Sequence, residues 1–418
     1  MKLKQILLKQ IELIKLDDNE FNEINKTAKI FCKELEKKLK RKKISAEVFI
    51  GGSLAKKTLV KKKKQDIDIF VRFDKKYSEK NISKILGKIL GKAKKIHGSR
   101  DYYQILINDL IIEIIPVIKI NKPEESLNVT DLSYFHVNYL LKKIKQKGKL
   151  AQEIILAKSF CYAQNCYGAE SYINGFSGYS IELLICHYGS FEKFLKEIIK
   201  SNKEKIVIDD AKYYKKKNIL QELNESKLNS PIILIDPTYK ERNALAGLSK
   251  ETFSKFKESA KKFLKNPSLN FFKVKKINKK FKKEYGNKLK IILIKTSKQP
   301  GDIAGTKSKK FLEFMKFKLK KEFAVNLAEF DYNEKTNTAE FYLVLGKKQD
   351  ELIKGPLLID RKNVKKFKKT HKKTIEKKGA VYAKVKHNLS FDKWYDLFIK
   401  KEKKIIKQMC IKKIKLVN

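Results

Sequence analysis

Two stretches decide the fold of the N-terminal part of this chain: Phe49-Ile-Gly-Gly-Ser53 and Asp66-Ile-Asp-Ile-Phe-Val-Arg-Phe73. The first predicts a short strand ending in a glycine turn, where backbone N–H groups can approach a phosphate. The second predicts a strand in which Asp66 and Asp68 share one face and the apolar residues pack on the other. Two neighbouring carboxylates repel each other unless a cation lies between them. Together the stretches predict a Mg²⁺ site beside a phosphate-binding turn.

A third acidic residue, Glu113, lies inside the apolar run Leu110-Ile-Ile-Glu-Ile-Ile-Pro-Val-Ile118. This run and 102–107 predict a hairpin with its turn at Asn108-Asp109. Burying an unpaired carboxylate costs several kcal/mol, so we expect Glu113 to be protonated, paired or bound to a metal. An edge-strand position facing water is the alternative. Three carboxylates could hold two divalent ions, and their hard oxygen ligands suit Mg²⁺.

The composition predicts a globular protein with an anionic partner. The chain has 418 residues, of which 42% are hydrophobic and 11% aromatic, enough for the cores of several domains. Against 47 acidic residues stand 98 Lys and Arg, for a formal net charge of +51. Such a charge favours a polyanion, most plausibly nucleic acid. Biased base composition is the alternative explanation for part of the excess.

Several other classes of protein are disfavoured. The N-terminal segment is charged and lacks the apolar core of a signal peptide, and no stretch approaches the ~18 apolar residues of a membrane span. We therefore expect a cytoplasmic protein. Cys161, Cys166 and Cys186 lie in apolar helical patterns without CxxC spacing, which predicts buried free thiols instead of a zinc site. Binding to a membrane surface is disfavoured because only the segment near Trp394 is a strongly amphipathic Lys/Trp helix.

Hydrophobic periodicity predicts an α+β, multidomain chain. Helices are predicted over 1–43 (one or two), 82–96, 151–164, 179–200, 249–264, 307–321 and 362–377, and around Trp394 and Phe398 near the end. Strands are predicted over 45–50, 66–73, 102–107, 110–118, 231–235, 288–295, 326–332, 338–345 and 381–386. The changes of pattern suggest four parts: 1–145, a mostly helical 146–268, a small α+β domain 269–350 and a basic tail 351–418.

Further blocks along the chain carry a resemblance to a known family. They are Thr130-Asp-Leu-Ser-Tyr-Phe-His136, Ala157-Lys-Ser-Phe160, Tyr167-Gly-Ala-Glu170, Gly175-Phe-Ser-Gly-Tyr179, Glu182-Leu-Leu-Ile-Cys-His-Tyr-Gly-Ser-Phe191, Asp236-Pro237, Glu241-Arg-Asn243 and Gly355-Pro356. With the glycine turn and the three acids, they resemble the polymerase-β nucleotidyltransferase superfamily. Within it they are similar to the archaeal-type (class I) CCA-adding enzymes, which are tRNA nucleotidyltransferases. The Gly-Phe-Ser-Gly-Tyr block is the most specific of them.

The resemblance implies a nucleotidyltransferase palm (a mixed β-sheet with helices), a helical central domain, a small α+β domain and a tRNA-binding tail. It also implies template-independent addition of C, C and A to the tRNA 3′ end from CTP and ATP, with two Mg²⁺ ions and release of pyrophosphate. The expected partners are nucleoside triphosphates and the acceptor stem and 3′ end of tRNA, and a homodimer is left open. The alternatives are a poly(A) polymerase or other template-independent RNA nucleotidyltransferase, and an inactive RNA-binding protein of the same fold.

The same resemblance implies roles for individual residues. Asp66, Asp68 and Glu113 stand at the catalytic, metal-binding positions, although the third is usually Asp in the family. Lys56 stands where the family has Arg, and a Lys supplies a point charge but no bidentate guanidinium. The implied nucleotide-binding residues are Gly52, Ser53, Lys56, His136, Lys158 and Tyr167 near the triphosphate, and Arg242 and Asn243 near the base or sugar.

From local sequence alone, four of these residues also have ordinary structural explanations. His136 is equally expected in a purely structural role, and Lys158 could extend its ammonium from an apolar helix face to water. Tyr167 could cap a helix end. Arg242 could form a surface salt bridge of little energetic value.

Overall fold

The chain packs into two compact units, 1–275 and 276–418. The division into four parts made from the sequence stays a prediction. No helix among the described residues combines the length and the apolar character needed to cross a membrane. The computed structural model describes residues 2–215, 217–274, 277–299, 302–371 and 373–417.

The first unit begins with a five-stranded mixed sheet and the helices packed on it. Its elements are α1 (Lys2–Ile14), α2 (Asp18–Arg41), β1 (Ala46–Ile50), α3 (Gly52–Ala55), β2 (Gln65–Phe73), α4 (Glu79–Leu90), β3 (Lys94–Ile96), β4 (Tyr102–Ile107) and β5 (Leu110–Ile118). The strand order is β1-β2-β5-β4-β3. In this sheet, β2 and β5 pair in parallel, and the pairs β1–β2, β4–β5 and β3–β4 are antiparallel. The predicted hairpin at Asn108-Asp109 is confirmed, and Asn108 adopts the positive φ of 52° that such a turn needs.

The alternation in β2 sets which face of this sheet meets the core. Ile67 and Ile69 are fully buried and pack with Leu35 and Leu39 of α2, while Asp66 on the opposite face is exposed. At about 25 cal/mol per Å² of buried apolar surface, a one-residue shift of register would be very costly. The apolar residues of β2 therefore hold its two aspartates on the free face.

A mostly helical layer completes the first unit. It consists of α5 (Ser133–Gln146), α6 (Leu150–Ala163), α7 (Gly178–Tyr188), α8 (Phe191–Lys200), β6 (Ile206–Ile208), α9 (Ile219–Glu222), α10 (Glu225–Leu228), β7 (Ile232–Asp236), β8 (Tyr239–Asn243) and α11 (Lys250–Lys265). β6, β7 and β8 form a small sheet in that order. Cys161, Cys166 and Cys186 are buried free thiols in its core, as predicted.

The second unit contains two sheets. Its elements are α12 (Ile277–Tyr285), β9 (Leu289–Thr296), α13 (Ile303–Leu319), β10 (Phe323–Asn333), β11 (Thr338–Lys347), β12 (Glu351–Leu357), α14 (Arg361–Thr370), β13 (Thr374–Lys377), β14 (Ala380–Val385), α15 (Phe391–Lys401), α16 (Lys403–Gln408) and β15 (Ile411–Val417). The sheets have the orders β10-β11-β9-β15 and β12-β14-β13. Because β15 pairs with β9, one sheet draws strands from both sides of the predicted boundary at 350.

Three predicted helices are shorter or divided. The helix predicted over 82–96 ends at Leu90, where Gly91 has a φ of 66° and a strand follows. The helix predicted over 179–200 is broken after Tyr188 by Gly189, which has a left-handed backbone, and Ser190 caps the next helix. The helix predicted over 362–377 ends at Thr370, and its last residues form β13. In each case, local turn chemistry or strand pairing overrides helical periodicity.

Candidate active site

The parallel pairing of β2 and β5 brings two of the predicted acids side by side. Asp68 is the register partner of Glu113, so their side chains share one face of the sheet with Asp66. Asp68 and Glu113 are half-buried. Nε2 of Gln104 on β4 donates to Oε1 of Glu113 at 2.7 Å. Because β5 lies between β2 and β4, the alternative of an edge strand for Glu113 is wrong.

The glycine turn contacts Asp68 directly. N–H of Gly51 donates to the carbonyl oxygen of Asp68 at 2.8 Å. Gly52 has a φ of 55°, and a Cβ built there would lie 1.7 Å from Oδ2 of Asp68. Glycine is therefore required at position 52 for two reasons, the backbone conformation and the space taken by the carboxylate. The turn holds the carboxylate of Asp68 in place.

The chemistry of these donors fits a hard divalent cation. Burial raises the pKa of Asp68, and the carboxylate of Asp66 raises it further, against the opposing charge of Lys56. Nζ of Lys62 lies 3.2 Å from Oδ2 of Asp66, so an ammonium already meets this anionic face. A bound divalent ion would relieve the same repulsion through carboxylate oxygens. In the described part of the chain, however, no three His, Cys, Asp or Glu side chains are gathered into a group that could hold a metal ion.

Two predicted lysines meet on one buried glutamate. Nζ of Lys56 donates to Oε2 of Glu182 at 2.6 Å, and Nζ of Lys158 donates to Oε1 at 2.7 Å. Thr58 lies 3.1 Å from Nζ of Lys158 and donates to Glu182 at 3.4 Å. All four residues are buried. Lys158 thus does not extend to water, and its ammonium is held inside the protein near the face of the sheet that carries Asp68.

The Gly-Phe-Ser-Gly block positions Tyr167. Tyr167 and Phe176 form a β-bridge, and N–H of Phe176 donates to the carbonyl oxygen of Cys166 at 2.8 Å. A Cβ at Gly175 would lie 2.2 Å from that same carbonyl oxygen, and one at Gly178 would lie 2.9 Å from the hydroxyl of Tyr167. The two glycines therefore leave room for the loop and for the phenol. Burial raises the pKa of Tyr167, so its hydroxyl is a neutral donor at physiological pH.

Some of these groups border a common cavity of about 390 Å³, whose lining does not include Glu113 or Lys56. Its polar wall includes Ser53, Asp66, Asp68, Lys158 and Tyr167. The structure thus brings together five of the residues predicted from the sequence. A cleft that presents both carboxylates and an ammonium can hold a polyphosphate and its counter-ions.

A second buried cluster surrounds Asp236, with His136 and Arg242 among its members. The two carboxylate oxygens of Asp236 accept from Tyr179 (2.9 Å), from N–H of Thr238 (2.8 Å) and from Arg242 (2.6 Å). Nε2 of His136 lies 3.0 Å from Oδ2, and its ring stacks on that of Tyr179 at 3.9 Å. Against the effect of burial, His136 and Arg242 hold the pKa of Asp236 well below its ordinary value. Arg242, whose side chain is 23% exposed, therefore pairs with a fully buried carboxylate and does not form an ion pair between two exposed side chains.

The charge of Asp236 is expected to stabilise the fold, and Asp236→Asn should remove that contribution. Because the folded-state pKa is depressed, the stabilisation is fully present above the ordinary carboxyl pKa of 3.8 and is lost as the pH falls through the folded-state value. Urea unfolding at pH 7 and at progressively lower pH measures this. The free-energy gap between wild type and variant should be widest near neutrality and narrow in acid. If the difference in unfolding free energy between wild type and variant did not change with pH, the charge of Asp236 would not be what stabilises the fold.

Asn243, which the resemblance placed near the base or sugar, is engaged with the backbone. Its Oδ1 accepts from N–H of Leu234 at 3.0 Å and of Leu245 at 2.9 Å. Its Nδ2 donates to the carbonyl oxygen of Lys227 at 2.8 Å. These bonds hold the end of β8, which carries Arg242. Asn243 therefore contributes indirectly, by keeping Arg242 in place. A direct nucleotide contact by Asn243 stays a prediction.

Residue-level sequence reasoning gave no role to Glu182, Thr58, Tyr179 or Asp236. One usable signal was present: Glu182 is an acidic residue within the apolar helix Gly178–Tyr188. The argument applied to Glu113, that a buried carboxylate needs a partner, applies equally to Glu182. Tyr179 and Asp236 lie in blocks that carry the family resemblance, but no individual role was assigned to them, and Thr58 lies in no such block.

Two protein-family models match this chain, and both describe domains of nucleotidyltransferases. A model of the nucleotidyltransferase domain matches residues 32–155, and a model of the second domain of tRNA nucleotidyltransferases matches residues 152–273. A CCA-adding enzyme of Nanoarchaeum equitans (strain Kin4-M) is 45% identical over 213 residues, which are 50% of this chain and 53% of the relative. One of Methanocaldococcus jannaschii is 35% identical over 257 residues, 59% of this chain and 54% of the relative. The chain thus spans little more than half the length of these relatives.

A solved structure shares the fold. A crystal structure of the Cid1 poly(U) polymerase with Mg 3′-dATP bound superposes with a TM-score of 0.51 at 15% identity, covering 66% of this chain and 99% of that one. At this identity the likeness concerns the fold alone. The comparisons confirm the predicted α+β nucleotidyltransferase fold and the family resemblance inferred from the motifs.

Proposed function

We propose that this chain, whose residues 32–273 match nucleotidyltransferase family models and which is similar to archaeal CCA-adding enzymes, adds C, C and A to the 3′ end of tRNA without a nucleic-acid template. CTP and ATP are the substrates and pyrophosphate is the product. One observation carries the proposal: Asp66 and Asp68 face a cavity that Lys158 and Tyr167 also line, so a metal-binding face and a triphosphate-binding wall adjoin.

Asp66, Asp68 and Glu113 are the residues that would hold divalent ions, for which we propose two Mg²⁺. Bound there, such ions would neutralise charge on the phosphates and lower the pKa of the attacking hydroxyl. The terminal 3′ hydroxyl of tRNA attacks the α-phosphorus in line, the bond to the β-phosphate oxygen breaks and pyrophosphate leaves. The side chain of Glu113 is one methylene longer than that of the usual Asp. The hydrogen bond that Gln104 donates to Glu113 fixes the position of its carboxylate.

The remaining site residues orient the nucleotide. Lys158 and Tyr167 present an ammonium and a neutral hydroxyl to the triphosphate, and Ser53 adds a second hydroxyl from the glycine turn. Arg242, held by Asp236, is the candidate for contact with the base, and His136 belongs to the same cluster. Holding reacting groups in place before the reaction can supply a large part of the rate enhancement.

The basic second unit is proposed to hold the tRNA. Lys-rich elements such as α14 offer contacts to phosphates, and A-form RNA is recognised mainly through its shape and backbone. Basic residues are spread along the whole sequence. We therefore expect the affinity for tRNA to fall steeply as the salt concentration rises. The proposed place of action is the cytoplasm. The molar mass in solution distinguishes a monomer from a homodimer.

The test uses purified full chain, tRNA lacking its 3′ CCA, and each nucleoside triphosphate separately and in pairs. CTP alone should extend the tRNA by C only, ATP alone should add nothing to this tRNA, and the pair should give CCA and then stop. Long A tails from ATP alone would favour the poly(A) polymerase alternative. Binding of tRNA without any incorporation would favour the inactive RNA-binding protein.

A further inference from the structure

Glu182 is the most deeply buried charged group near the cavity, and no role has been assigned to it above. It lies within α7 and its side chain is 1% exposed. Both of its oxygens are used, one by Lys56 and the other by Lys158. The lysines come from segments about a hundred residues apart, one following the glycine turn and one in α6. A single carboxylate thus fixes the position of two ammonium groups.

The charges of this cluster do not cancel. Burial lowers the pKa of Lys158, and the carboxylate of Glu182 opposes that change. With both lysines protonated, two ammonium groups against one carboxylate leave one positive charge in a region shielded from water, where an uncompensated charge costs several kcal/mol. Asp68 lies close enough for both lysines to oppose the rise of its pKa, but its carboxylate is assigned to a divalent ion. An anionic group of the substrate would therefore compensate the remaining charge. The phosphates of the nucleotide are the anions that the proposed function brings to this place.

Lys56 depends on this arrangement for its orientation. A guanidinium presents a rigid planar fork of donors, whereas an ammonium at the end of four methylenes has no preferred direction. The 2.6 Å bond to Glu182 gives Lys56 a defined place, and its side chain is only 9% exposed. The carboxylate thus supplies the orientation that the side chain of Lys56 lacks.

We propose that Glu182 is a positioning residue for nucleotide binding, acting through Lys56 and Lys158 to place one net positive charge against the triphosphate. The inference rests on the proposed function for the identity of the anion. Glu182 also ties α7 to the segment after the glycine turn, so a purely structural role must be distinguished from a positioning role.

The test is Glu182→Gln, which keeps the shape and removes the charge. We expect the KM for CTP and for ATP to rise at least about tenfold, because charge-assisted hydrogen bonds are lost from both lysines. The KM for tRNA should change less than twofold. Calorimetric binding of CTP and of inorganic pyrophosphate without tRNA should weaken by a similar factor. Circular dichroism and thermal unfolding establish whether the variant is folded.

A matched control is Glu153→Gln in α6. Glu153 is half-buried in the same helical layer and accepts from N–H of Phe191 at 2.7 Å, a bond that Gln can also accept. This control should leave both KM values unchanged. A double-mutant cycle adds Lys158→Met: if Glu182 acts through the two lysines, the effect of Glu182→Gln on nucleotide binding should be smaller in the Lys158→Met background, where only the contact with Lys56 remains.

The outcomes separate the two proposals. If the wild-type chain binds CTP but adds no nucleotide to tRNA, the proposed function fails, while the binding measurements still test Glu182. If wild type is active and folded Glu182→Gln keeps its nucleotide KM and affinity within twofold, the inference is overturned. Additive effects of Glu182→Gln and Lys158→Met, or equal changes in KM for tRNA and nucleotide, would also overturn it in favour of a structural role.

Discussion

Asp68→Asn is expected to lower the rate of nucleotide addition by about 10³-fold, the order found when a charge-stabilising group is removed from an active site. Asn preserves the size of the side chain beside Gly52 but removes the charge that would bind a divalent ion. The fold should not weaken. Burial raises the pKa of Asp68, so the fold disfavours the charged form, and a neutral side chain removes that penalty.

Single-turnover incorporation of radiolabelled CMP into tRNA lacking CCA measures the loss, and urea unfolding checks stability. Asp74→Asn is the matched control, since Asp74 follows the other end of β2 and accepts from N–H of Lys76 at 3.0 Å, which Asn can also do. It should retain nearly full activity. Undiminished incorporation by Asp68→Asn would show that the proposed catalytic face is wrong.

Gly52→Ala is expected to lower activity by about 10²-fold, because a displacement of roughly 1 Å in a reacting group can cost that much. The new Cβ would lie 1.7 Å from Oδ2 of Asp68, so either the turn or the carboxylate must move. The positive φ of Gly52 adds a backbone penalty of about 1 kcal/mol for Ala. Both effects act on Asp68, whose carboxylate is proposed to bind a divalent ion.

The two effects can be separated with Gly91→Ala. Gly91 has a similar φ of 66°, but a Cβ there meets nothing within 4 Å. Gly91→Ala should therefore lose stability in urea unfolding to a similar extent and keep its rate of CMP incorporation. If Gly52→Ala loses no more activity than Gly91→Ala, the proposal that glycine is needed at position 52 to avoid a clash with Asp68 is wrong.

Much of the site could be predicted from sequence because it depends on local periodicity. The two-residue repeat of β2 is sufficient to place Asp66 and Asp68 on one face, since the alternating residues Ile67 and Ile69 must be buried. The apolar run around Glu113 likewise predicts a strand, and its pairing beside Asp68 follows from the parallel arrangement of β2 and β5. The family resemblance then proposed roles for residues with weak local signals, such as Tyr167.

Periodicity failed where a turn or a distant strand competes with it. Gly189 breaks a continuous apolar helix because its left-handed backbone ends α7, although the pattern of apolar residues continues beyond it. β15 pairs with β9, more than a hundred residues away, and a helical pattern just before it gave no indication of this partner.

The sequence by itself determined which side chains face the core and hence that two aspartates share a free face. Only the tertiary structure decided which charged groups form pairs. Glu182 pairs with Lys56 and Lys158, and Asp236 pairs with Arg242 and contacts His136. The reason is physical. Burial of apolar surface is encoded residue by residue along each element, whereas the partner of a buried charge depends on how layers pack, and opposite charges attract without regard to their separation in sequence.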